Sequence, residues 1–136
     1  MLIAPAISAD TSKPFTILVY GDSLSAAYGL EIEQGWVPLL EHTIRKNHNL
    51  SSIEPDKTND HVDSHFNHPN IKFINASISG ETSRGGLARF KATLEFSQAD
   101  LVLLELGAND GLRGYPIKSM RNNLSKMIEE TKNSGA

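Results

Sequence analysis

The 136-residue chain contains no cysteine. This excludes disulfides, a thiolate nucleophile and any Cys-ligated zinc or iron–sulfur centre, while leaving the compartment open. It also lacks a basic excess: 13 Lys and Arg stand against 16 Asp and Glu, for a formal net charge of −3. Neutralising a phosphate backbone takes surplus cations, so nucleic acid is not an expected partner. No apolar run approaches the roughly 20 residues that span a bilayer, and no stable membrane insertion is expected. Hydrophobic side chains make up 39% of the chain and charged ones 21%, a balance that excludes intrinsic disorder. The length suffices for one domain and not for two. These limits describe a single domain acting on a small molecule.

The opening MLIAPAISA is apolar and rich in small residues. It is similar to the tail of a secretory signal with Ala6 or Ala9 as the cleavage point, although the first cation is Lys13. Residues 1–12 are therefore read as a signal remnant or a frayed terminus, and the protein as periplasmic or secreted.

From Phe15 onward strand-like and helix-like patterns alternate. Residues 15–20 (FTILVY) form a short apolar run ending at Gly21, as in a strand buried on both faces. Trp36, Leu40 and Ile44, widened by Val37 and Leu39, mark an amphipathic helix of about three turns that ends near Asn47. Residues 71–76 read as a second strand, and residues 79–83 supply turn and N-cap chemistry for a helix carrying Leu87, Phe90 and Leu94. Residues 101–106 (LVLLEL) read as the third strand. Ile117, Met120, Leu124, Met127, Ile128 and Thr131 then line a helix to about Asn133. Alternation of this kind predicts parallel βαβ units with right-handed crossovers, an α/β three-layer sandwich spanning residues 13–136. The exception is residues 47–70, too long and too polar for an ordinary connection and read as a solvated insertion. Four of the five histidines lie there: His48, His61, His65 and His68. The spacing of the last three, with Asp60 and Asp63 between, is compatible with a metal site, but the segment offers no frame or supporting ligand shell. No metal or other cofactor is expected.

In a parallel sheet, ligands bind beyond the C-terminal ends of the strands. Each strand here leads straight into a loop of glycine and small polar residues: Gly21-Asp22-Ser23-Leu24-Ser25, Ser77-Ile78-Ser79-Gly80-Glu81 and Gly107-Ala108-Asn109-Asp110-Gly111. Ser23 stands on a strand-to-helix turn, a position suited to a nucleophile. Gly80 supplies an unobstructed N–H and Asn109 an amide donor, so two backbone N–H groups and one side chain would compose an oxyanion hole for a tetrahedral acyl intermediate. Any one loop is explained by ordinary turn preferences; three in order after successive strands are not.

These blocks resemble those of the GDSL, or SGNH, hydrolase family. GDSLSAAYG, NASISGETSRGGLARF and ELGANDGLRG are similar almost residue for residue to its bacterial periplasmic thioesterase I/lysophospholipase and arylesterase branch. The resemblance implies a flavodoxin-like sheet of order 2-1-3-4-5 and a serine esterase or thioesterase working through an acyl-Ser23 intermediate. Its oxyanion hole would be Ser23, Gly80 and Asn109, and Asp110, Gly111, Leu112, Arg113, Gly114 and Tyr115 would form a loop bordering the acyl pocket. The substrate would be a small acyl ester or thioester. The turn is not a G-x-S-x-G elbow, since Ser25 stands where that motif has glycine.

The family's fourth block, an Asp-x-x-His carrying the base and its orienting carboxylate, has no counterpart in the sequence. The Asp60-His61 pair lies upstream of the Asn109 loop, in the insertion. The resemblance thus implies a member truncated after its third βα unit, with a poorly guarded third-strand edge prone to self-association. Two rivals stand beside the enzyme: an inactive or acyl-binding remnant, and a flavodoxin-like mononucleotide module. The second is disfavoured because Asp22 puts a carboxylate where a phosphate loop needs free N–H donors.

Overall fold

The computed structural model describes residues 13–51 and 70–136. The expectations for residues 1–12, for His61, His65 and His68, and for the side chain of His48 fall outside them. Three strands, β1 (Phe15–Gly21), β2 (Ile71–Asn75) and β3 (Leu101–Glu105), form a parallel sheet of order β2-β1-β3. β1 occupies the centre, and its residues from Thr16 to Gly21 are all buried, which accounts for the continuous apolar run. It runs one residue further than the sequence pattern predicts because Gly21 still pairs with Glu105 across the ladder.

The helices are α1 (Trp36–Ser51), α2 (Ser83–Ser97), α3 (Ala108–Leu112) and α4 (Ile117–Ser134). α1 packs against β2, and α2 packs against β1 and beside α4. Leu18 and Tyr20 point into the α2/α4 layer, where they form the core with Phe90, Leu94 and Met127. Tyr20 and Phe90 meet edge to face, ring centroids 5.0 Å apart, and the Tyr20 hydroxyl donates to the carbonyl of Gly86 at 2.7 Å. The alternate residues Ile17 and Val19 are buried on the other face.

Three local expectations need correction. α1 continues to Ser51 and so takes up the first residues of the segment read as a solvated insertion; nothing between Asn47 and Ser51 is a glycine or proline that would stop it. Its buried residue is Val37, whereas Trp36 and Leu39 of the predicted stripe are exposed. The loop after β3 contains a short helix, α3. Gly107, with φ of 122°, turns the chain directly into it, and a Cβ there would stand 2.9 Å from Met120 Sδ. One edge of β3 pairs with β1, and the other has no strand partner among the described residues.

Candidate active site

Hydrogen bonds between the three loops join them at the C-terminal ends of the strands. Gly21 N–H donates to Ser77 Oγ at 3.0 Å, and Ile78 N–H donates to the Gly21 carbonyl at 3.0 Å, fixing the second loop against the first. Asn109 Nδ2 donates to Asp22 Oδ2 at 3.0 Å, fixing the third loop against the first. Arg113 Nη2 donates to the Gly80 carbonyl at 3.0 Å, closing the ring between the third and the second.

Ser23 sits half-buried on the turn after β1. The turn is shaped by Asp22, which is 1% exposed and whose Oδ1 accepts the Leu24 N–H at 3.1 Å. The Asp22 carbonyl accepts Ala26 N–H and the Ser23 carbonyl accepts Tyr28 N–H. Ala27, in this same turn, holds a φ of 55° despite its side chain; Gly35 packs against it so closely that a Cβ there would be 2.8 Å from Ala27 Cβ. Among the described residues, neither the Ser23 N–H, the Ser23 hydroxyl nor the Gly80 N–H has a protein partner. Gly80 adopts a φ of 78°, a left-handed conformation that glycine takes without a Cβ penalty. Asn109 spends one amide hydrogen on Asp22 and keeps the other. Two backbone N–H groups and one remaining amide hydrogen, on three adjoining loops, are thus without protein acceptors, as is the Ser23 hydroxyl, whereas buried or half-buried N–H groups are ordinarily paired.

The second loop is braced from behind. Arg89 on α2 pairs with Glu81 at 2.7 Å, and its guanidinium lies 4.2 Å over the Tyr20 ring. Burial pushes the Tyr20 phenol up to about 12, with Arg89 opposing and Glu81 assisting the shift. Thr82 Oγ1 caps α2 by accepting Gly85 N–H.

The residues expected along the pocket border divide. Leu112, Arg113, Gly114 and Tyr115 are exposed beside the ring of loops, as is Gly111. Asp110 is not on that border: it is 3% exposed, and its carboxylate accepts Ser83 N–H and Ser83 Oγ–H, each at 2.7 Å. Asn123 of α4 donates to the same Ser83 oxygen at 3.0 Å. Sequence reading took Ser83 only as turn and N-cap chemistry and missed Asn123 and Glu105. Of these only Glu105 left a signal, as the one charge inside LVLLEL. His42 of α1, the one histidine whose side chain is described, makes no bond to Ser23. No group of acids and histidines among the described residues could hold a metal ion, and no helix among them is long and apolar enough to cross a membrane.

Residues 19–136 match the model of the GDSL-like lipase/acylhydrolase family. The chain belongs to that family. Among relatives of this GDSL-like chain, the arylesterase of Vibrio mimicus is 44% identical over 130 residues, covering 96% of this chain and 55% of that protein. Esterase TesA of Pseudomonas aeruginosa is 40% identical over 121 residues, covering 89% and 50%. The crystal structure of the psychrotrophic esterase EstA from Pseudoalteromonas sp., inhibited by monoethylphosphonate, superposes with a TM-score of 0.69 at 43% identity, covering 90% of this chain and 56% of that one. The chain spans about half the length of these relatives. Its α/β sandwich is that of the GDSL esterases.

Proposed function

We propose that this chain carries the nucleophile and oxyanion hole of a serine hydrolase acting on carboxylic esters or acyl thioesters. The observation that carries the reading is the unpaired Ser23 hydroxyl on a loop that adjoins two N–H groups without protein acceptors, at Ser23 and Gly80, and the second amide hydrogen of Asn109, whose first is held by Asp22. Ser23 Oγ attacks the acyl carbon and passes its proton to a base. The carbonyl oxygen takes the negative charge and the three donors hold it. Collapse expels the alcohol or thiol, which takes up the proton, and leaves acyl-Ser23 for water to hydrolyse. His42 makes no bond to Ser23, so the reading assigns the base to a group outside the described residues. The names of the relatives support an acyl substrate without fixing chain length. Export to the periplasm is part of the same proposal, resting on the MLIAPAISA opening.

The test is Ser23→Ala. It should abolish hydrolysis of a short p-nitrophenyl ester while leaving the far-UV circular dichroism spectrum unchanged. Retained hydrolysis would move the nucleophile elsewhere. An acyl ester that binds without turnover in the wild type would favour the non-catalytic acyl-binding reading instead.

A further inference from the structure

Glu105 is the last residue of β3 and lies in register with Gly21. One of its carboxylate oxygens, Oε2, accepts two hydrogen bonds: from Asp22 N–H at 3.3 Å and from Ser25 Oγ–H at 3.0 Å. These donors flank Ser23, one residue before it and two residues after. The approach is tight. A Cβ on Gly21 would stand 2.7 Å from the same oxygen and 2.8 Å from Ser25 Oγ, so glycine at that position is what lets the carboxylate reach the turn. Ser25 is 2% exposed, and its carbonyl is held by Asn75 Nδ2 at 2.7 Å, so the residue is fixed beside the carboxylate by its backbone as well as by its hydroxyl.

We infer that Glu105 is a positioning residue for the nucleophile: by holding Asp22 N–H and Ser25 Oγ–H on one oxygen, it sets where Ser23 Oγ and Ser23 N–H stand relative to Gly80 and Asn109. The inference rests on the reading of Ser23 as nucleophile. Glu105 itself touches neither the reacting atoms nor substrate; it acts through the turn. Because both bonds end on a single oxygen, the amide oxygen of glutamine can replace it, whereas leucine leaves two donors without a partner.

Glu105→Gln and Glu105→Leu separate this role from bulk stability. The first readout is the backbone amide resonances of Asp22, Ser23 and Leu24, compared with those of Ser125 to Thr131 on α4 as an internal control. Glu105→Leu should move the turn resonances and leave the α4 resonances in place, and Glu105→Gln should restore the turn. The second readout is kinetic. Glu105→Leu should lower kcat by about 10- to 100-fold with KM changed by less than about twofold, the cost expected of a misplaced reacting group. Glu105→Gln should return most of kcat. Turn resonances unmoved in Glu105→Leu would overturn the inference whatever the activity. So would Glu105→Gln as damaged as Glu105→Leu, since charge and not the held turn would then matter. If the turn moves as expected but Ser23→Ala retains activity, it is the assignment of the nucleophile that fails, and the two failures are distinguishable.

Discussion

Asn109 has two tasks on one amide nitrogen. One hydrogen ties the third loop to Asp22, and the proposed reading gives the other to the oxyanion. Removing one such donor typically costs about 10² to 10³ in kcat. Steady-state kinetics of Asn109→Ala on a short p-nitrophenyl ester should show a loss of that order with KM little changed. A fall in affinity with kcat preserved would make Asn109 a substrate-binding residue. Tyr20 is a residue of a different kind, serving the fold through burial. Its phenol is neutral and buried, and ionising it inside the core is opposed by desolvation, so its pKa rises from 10.0 to about 12. The sign follows: a group whose folded pKa is raised contributes stability fully present below pH 10, lost as pH climbs from 10 toward 12. The contribution is on the order of 2–3 kcal/mol for a shift of this size. Difference absorbance at 295 nm between the wild type and Tyr20→Phe should therefore titrate near pH 12. A midpoint near 10 would place the phenol in water.

Among the elements, α2 depends most on a side chain from elsewhere in the chain. Its first turn is capped by Thr82, and its first residue, Ser83, gives both its N–H and its hydroxyl to the buried Asp110 carboxylate. Asp110→Ala leaves Ser83 N–H without an acceptor in a buried site, at a cost of about 1–3 kcal/mol. Urea unfolding should show that loss, and an unchanged midpoint would mean that Asp110 does not anchor α2. The same residue shows where the sequence stops being readable. The three strands, the three longer helices and the convergence of Ser23, Gly80 and Asn109 were legible because periodicity and strand-end position depend only on local pattern. Asp110 was read as a pocket residue because the family resemblance carries the whole loop from Asp110 to Tyr115 to the pocket border; that its carboxylate turns inward to Ser83, 27 residues upstream, is set by tertiary packing. Glu105 was hidden for a related reason, since its bonds to Asp22 and Ser25 arise only when β3 pairs with β1. α3 was missed because five residues are too few to show a helical period.

At the scale of the whole molecule, the sheet β2-β1-β3 brings the Ser23, Gly80 and Asn109 loops to one edge, and the proposed reading assigns the base to a group outside the described residues. On the proposed reading the most reactive serine of the chain is Ser23, because the donors around it stabilise the negative charge that its attack creates. Covalent labelling tests this most directly. Incubating the chain with an organophosphonate and mapping the adduct by peptide mass spectrometry should place one phosphonyl group on Ser23, with labelling suppressed in Asn109→Ala. Adducts on Ser25 or Ser79, or spread without preference over the serines, would contradict the account.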